Sequence, residues 1–125
     1  MLTVSESLRL AMPPDDIPPR YRPLVGWDNM ANALRRLAAI AKQRGIPAVA
    51  LLDAGPRQLH RLCAAAGFTV VDSQPAVLRY EKEHGVERYT ALRRSATDTH
   101  PNALGHAVIA ATLLESLLRA GVLPR

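Results

Sequence analysis

The chain is 125 residues long, 48% hydrophobic and 22% charged, which places it among globular proteins of one domain and excludes a multidomain enzyme or a wholly disordered chain. Its formal charge is +5 and its pI is near 10.1, but aromatics make up only 4% and the arginines are spread from Arg9 to Arg125 with acidic residues among them. A nucleic-acid footprint clusters basic side chains on one face beside aromatics that stack on bases, so the charge argues for solubility and no nucleic-acid partner is expected.

Residues 1–26 read as a Pro-rich, poorly ordered leader. Five of the ten prolines fall between Pro13 and Pro23, and each removes a backbone donor and restricts the residue before it. No apolar run follows a basic segment at the start, so no signal peptide is expected and the cytoplasm is the default location. From Trp27 to Gly121 the pattern becomes that of a partial α/β domain. Asp28 can cap a helix in which Met30, Leu34, Leu37 and Ala41 recur at helical spacing, and Gly45 followed by Pro47 ends it. Arg35, Arg36, Lys42 and Arg44 form its solvated face. Residues 46–52 are a continuous apolar run without alternation, the mark of a parallel strand covered on both faces.

After Asp53-Ala-Gly-Pro56 a second helix runs to Ala66, with Leu59, Leu62, Cys63 and Ala66 inward and Gly67 as its stop. Cys63 is the only cysteine, so no intramolecular disulfide is possible, and its apolar helical setting predicts a packed thiol rather than a nucleophile. Residues 68–72 read as a second buried strand, making a right-handed strand–helix–strand unit. A third helix starts near Asp72-Ser73-Gln74-Pro75 with Val77, Leu78 and Tyr80 inward. A short helix is expected around Tyr89 to Arg93. A last helix spans Ala103 to about Ala120, with Leu104, Val108, Ala111 and Leu114 or Leu118 inward. The apolar stretches Ile46 to Leu52 and Ala107 to Leu114 fall short of the roughly 20 residues needed to span a bilayer.

Two strands against at least four helices is a poor balance, because an open α/β sheet has about five or six strands. A two-stranded parallel sheet leaves two edges and too little surface to bury its helices. The chain is therefore expected to complete its sheet with another copy or with a missing N-terminal half.

Chemistry is concentrated in Asp98-Thr-His-Pro-Asn-Ala-Leu-Gly-His106. Pro101 pushes His100 into extended backbone and suits the first turn of a following helix. Side chains two apart in extended chain share a side, so the Asp98 carboxylate can reach the His100 ring. A carboxylate on one imidazole nitrogen fixes the tautomer and leaves the other free to take a proton. Taken by itself, an Asp-x-His triplet occurs often by chance and is more often a cap-and-loop pair than a catalytic one.

The run Asp98 to Ala110 resembles the last conserved block of SGNH hydrolases, the GDSL-type lipases and esterases, where aspartate, histidine, Pro-Asn and Gly-His precede the C-terminal helix. More loosely, Leu34 to Leu52 and Gly67 to Asp72 are similar to that family's penultimate and last strand regions. The resemblance implies the C-terminal part of a flavodoxin-like three-layer α/β/α fold and hydrolysis of a small-molecule ester or acetylated substrate through an acyl-serine. It implies His100 as general base and then acid, with Asp98 as its orienting partner. No cofactor and no metal are implied. The family's Gly-Asp-Ser nucleophile block and its glycine and asparagine oxyanion blocks have no counterpart here; the serines are Ser5, Ser7, Ser73, Ser95 and Ser116.

Other residues admit sharper and plainer readings. Asp98, His100 and His106 lack a fourth metal ligand, and His106 is expected to cap or pack in its helix. Ser73 follows a strand at its carboxyl end, where open α/β sheets place ligands, so it is a helix cap or a substitute nucleophile. Asp72 reads as a cap or loop stabiliser, while Asp53 and Gly55 lie on the same edge as Ser73. His60 and His84 are expected on exposed helix surface. Three readings remain open: an esterase half that needs its N-terminal complement, a standalone hydrolase with an unconventional nucleophile, and a non-catalytic module pairing through an open sheet edge.

Overall fold

The structure is a computed structural model that describes residues 17–53, 55–86 and 91–124. It belongs to the α/β class, with helices and one small parallel sheet. The described residues divide into two compact units, 17–50 with 55–70 and 51–53 with 71–86 and 91–124. No helix among them is long and apolar enough to cross a membrane.

The first unit begins with a 3-10 helix, Pro19–Leu24, followed by helix α1, Trp27–Gln43. Asn29 ties the two together, its side-chain nitrogen donating to the carbonyls of Arg22 at 2.8 Å and Val25 at 2.7 Å. The start of α1 differs from the expected Asp28 cap. Gly26, at φ 86°, turns the chain into the helix, and Asp28 sits in the first turn, where its charge complements the helix dipole. The inward face also differs. Ala31 and Ala38 are buried, Met30, Leu34 and Ala41 are half-buried, and Leu37 is 55% exposed. Helix α1 packs on helix α2, Arg57–Ala66. On α2 only Cys63 is fully buried, with Leu59, Leu62 and Ala66 half-buried. Gly67 takes left-handed backbone, φ 102°, and Phe68 N donates to Cys63 O at 3.0 Å, closing α2 as its sequence predicts.

Strands β1, Val49–Leu52, and β2, Thr69–Asp72, form the sheet. Thr69 N donates to Ala48 O at 2.9 Å and Ser73 N to Leu52 O at 3.0 Å, a four-residue advance on both strands that sets the parallel register. Each strand is shorter than its apolar run: Ile46 and Pro47 stay outside β1 and exposed, and Phe68 precedes β2. The expected burial on both faces is corrected too: Val71 is the only fully buried strand residue, and Leu51 is exposed.

In the second unit, α3, Gln74–His84, packs against α4, Ala103–Arg119. Its core is Val77, Leu92 and Ile109, flanked by Tyr80 and Val108. The expected inward Leu78 is exposed, and Glu81 is buried on the α3 face instead. On α4 the buried residues are Gly105 and Ile109, one position on from the predicted Leu104 and Val108 set; Leu104, Ala111 and Leu114 are exposed. No helix forms at Ala91 to Arg93, which are bends ending in an isolated antiparallel bridge from Arg93 to Pro101. The Tyr89 and Thr90 part of that expectation lies outside the described residues.

Candidate functional site: the histidine loop

Residues 91–102 lead into α4 and are ordered by backbone pairing across the loop. Arg94 N donates to His100 O at 2.9 Å, Ser95 N to Asp98 O at 3.1 Å and Asn102 N to Leu92 O at 3.1 Å. Leu92 is 1% exposed and plugs the loop into the core. Asn102 brackets the loop and the helix. Its side-chain oxygen caps α4 by accepting from Gly105 N at 2.9 Å, while its nitrogen donates to Ala91 O at 2.8 Å and Arg93 O at 3.1 Å. A Cβ on Gly105 would lie 2.2 Å from the Leu92 carbonyl oxygen, so the close approach of loop to helix requires glycine there. Pro101, Asn102 and Gly105 thus have structural duties that place His100 just before the helix.

His100 Nδ1 lies 2.6 Å from Asp98 Oδ1, the contact expected from their two-residue spacing. The same oxygen accepts from His100 N at 3.2 Å, and Ser95 Oγ accepts from Asp98 N at 2.9 Å, so local turns hold the carboxylate under the ring. Arg94 Nη1 stands 3.4 Å from the other Asp98 oxygen. The His100 side-chain hydrogen bond, then the bond from His100 N, and more weakly the Arg94 charge hold the Asp98 carboxyl below the usual carboxylate range. With Nδ1–H donating to Asp98, a neutral ring keeps its lone pair on Nε2. The His100 side chain is 83% exposed, and among the described residues its ring has no hydrogen-bond partner other than Asp98. The arrangement is an oriented imidazole whose outer nitrogen can accept a proton from a group brought to it.

The structure places the remaining candidates elsewhere. Ser73 is fully buried at 0% exposure, and its hydroxyl donates to Asp53 Oδ1 at 2.9 Å, which removes it as an accessible nucleophile. It precedes α3 without capping it by its side chain. Asp72 Oδ1 instead accepts from Gln74 N at 3.0 Å, the loop-stabilising part expected of it. Asp53 Oδ2 pairs with Arg93 Nη1 at 3.0 Å. Ser95 is consumed by its own turn and Ser116 lies on α4; no described serine bonds to His100, and Ser5 and Ser7 lie outside the described residues. Cys63 is buried, which pushes its thiol pKa up, away from a reactive thiolate. His84 is exposed and stacks on Tyr80 with ring centres 3.9 Å apart, whereas His60 is half-buried, not exposed as expected. Among the described residues no group of three His, Cys, Asp or Glu side chains is placed to hold a metal ion.

Sequence reasoning missed Arg93 and the double duty of Asn102. For Asn102 the signal was present, an asparagine at a helix N-cap position with glycine three residues later. For Arg93 there was none, since its partner Asp53 is 40 residues away. Fold and site together define an α/β chain that presents an exposed imidazole–carboxylate pair on a loop before its last helix. Comparison with protein-family models, with curated proteins and with solved structures finds no match.

Proposed function

We propose that this chain carries the histidine–aspartate element of a serine ester hydrolase of the SGNH type, as the C-terminal part of a flavodoxin-like α/β/α sheet. The observation that supports it best is the Asp98–His100 contact at 2.6 Å on a ring whose side chain is 83% exposed. A two-stranded sheet and exposed apolar side chains within each unit, Leu37 and Ile40 in one and Leu104 and Leu114 in the other, favour a domain completed by further strands.

In this reading His100 Nε2 takes the proton of a serine hydroxyl as the serine oxygen attacks an ester carbonyl. It then returns that proton to the departing alcohol, leaving an acyl-serine. Water attacks the acyl group with His100 again as base, and the serine is released. Asp98 stays ionised throughout, fixing the tautomer and stabilising the imidazolium. The serine and the oxyanion donors come from the half that bears the Gly-Asp-Ser block, and without them the pair alone gives little acceleration.

The test is reconstitution. The full chain is mixed or co-expressed with an SGNH N-terminal half bearing Gly-Asp-Ser, and hydrolysis of p-nitrophenyl acetate is followed. Activity above the sum of the separate parts is expected; a well-folded reconstituted domain without hydrolysis overturns the reading. A second reading, a non-catalytic module, is favoured by the His100 N–H bond to Asp98, because that bond closes a turn with no need of the ring. There His100→Ala leaves partner binding intact on a folded protein.

A further inference from the structure

The carboxyl end of β1 holds an interaction that the hydrolase chemistry does not use. Asp53 lies just past β1, with its two carboxylate oxygens taken by different elements of the second unit: Oδ1 by the Ser73 hydroxyl at 2.9 Å and Oδ2 by Arg93 Nη1 at 3.0 Å. The Asp53 side chain is 23% exposed and that of Arg93 11%, so this is a largely enclosed ion pair with a hydrogen-bonded third member. Arg93 is also the residue that the histidine loop pairs with. Its carbonyl accepts from Asn102 Nδ2, its backbone bridges to Pro101, and Arg94 N beside it donates to His100 O. The backbone of His100 is therefore held on both sides by residues that Arg93 anchors.

We infer that the Asp53–Arg93 ion pair is a positioning device for His100, fastening the loop to the end of β1 so that the imidazole sits where it can serve a nucleophile. Asp53 and Arg93 act through the loop backbone and touch no substrate. The inference rests on the reading of His100 as the general base.

An ion pair that only adds stability and one that sets the loop are distinguished by where its loss is felt. Charge-assisted hydrogen bonds between largely enclosed partners are strong, and local openings have their own free energies. Arg93→Met keeps the apolar stem and removes the pair. It is expected to speed hydrogen exchange at the Arg94 amide by about tenfold, with Val77 and Ile109 amides little changed. In the same variant the Asp98 carboxyl, followed by carbon-13 NMR, titrates closer to the ordinary range as the His100 contact loosens. Arg93→Lys is expected to restore both signals in part. Asp53→Asn retains an acceptor for Ser73 and gives the same pattern more weakly, and it decides the matter where Arg93→Met does not fold. A uniform fall in protection across the unit, with Asp98 titrating as in the wild type, overturns the proposal. Neither readout involves ester hydrolysis, so the failure of the hydrolase reading shows separately in the reconstitution assay.

Discussion

Gly105→Ala tests the packing that presents the histidine loop. The new methyl carbon would lie 2.2 Å from the Leu92 carbonyl oxygen, 3.1 Å from Pro101 Cβ and 3.2 Å from the Leu92 carbonyl carbon. The first contact is backbone against helix, so no flexible side chain can swing away. Leu92 belongs to the core cluster with Val77 and Ile109, and its carbonyl also receives Asn102 N. Overpacking of this kind costs about 1–3 kcal/mol, and a weakened Asn102–Leu92 hydrogen bond adds about 1 kcal/mol. Against this, alanine is the better helix former by about 1 kcal/mol. The balance is a loss of about 2 kcal/mol, or a Tm lower by roughly 8 °C for a chain of this size. Thermal melts followed by circular dichroism measure it. Ala107→Gly on the exposed face of the same helix is the control and costs about 1 kcal/mol from propensity alone. A Gly105→Ala protein as stable as the wild type, or more so, would refute the close approach of loop and helix.

Asn102→Ala removes the α4 cap and leaves the carbonyls of Ala91 and Arg93 without their donor; urea unfolding is expected to show a loss of about 2 kcal/mol. His100→Ala removes the largest cause of the lowered Asp98 pKa, so the carboxyl is expected to titrate nearer the usual carboxylate range by carbon-13 NMR. In linkage terms, a carboxyl whose folded pKa lies below its unfolded value adds stability above the unfolded pKa and loses it as pH falls through the folded one. Wild type is therefore expected to lose, on acidification below the ordinary carboxylate range, an increment of stability that His100→Ala lacks. Cys63, buried with a raised thiol pKa, is expected to react with an aromatic disulfide reagent only when the chain unfolds in urea; rapid reaction of the folded chain contradicts its burial on α2.

The elements that local chemistry specifies were legible. Gly67 past α2 and Gly121 past α4 carry the positive φ that helix stops favour, at 102° and 70°. Both apolar runs became strands. Phase was harder to read. Helix α4 carries leucine or alanine on nearly every side, so its periodicity fits more than one inward face, and the Leu92 carbonyl beside Gly105 selects the one observed. On α1 the buried residues are Ala31 and Ala38 while Leu37 and Ile40 are exposed, a choice set by tertiary neighbours and not by hydropathy.

The site followed the same division. The Asp98–His100 contact spans two residues and obeys extended-chain geometry, so it was readable. The loop that carries it is held by Leu92, Asn102 and the Asp53–Arg93 pair, which join residues up to 40 positions apart and leave no periodic trace. Ser73 had the position of a nucleophile at a strand end, yet its hydroxyl is spent on Asp53, a pairing visible only in three dimensions.

On the proposed reading, His100 and Asp98 work as a base and its orienter once a serine is supplied. The most direct measurement is the p-nitrophenyl acetate rate of the reconstituted domain carrying wild-type chain, His100→Ala or Asp98→Asn, each checked for folding by circular dichroism. Activity is expected in the wild type, with a loss of at least about 100-fold in His100→Ala and with Asp98→Asn also impaired. Equal rates in three folded proteins would contradict it.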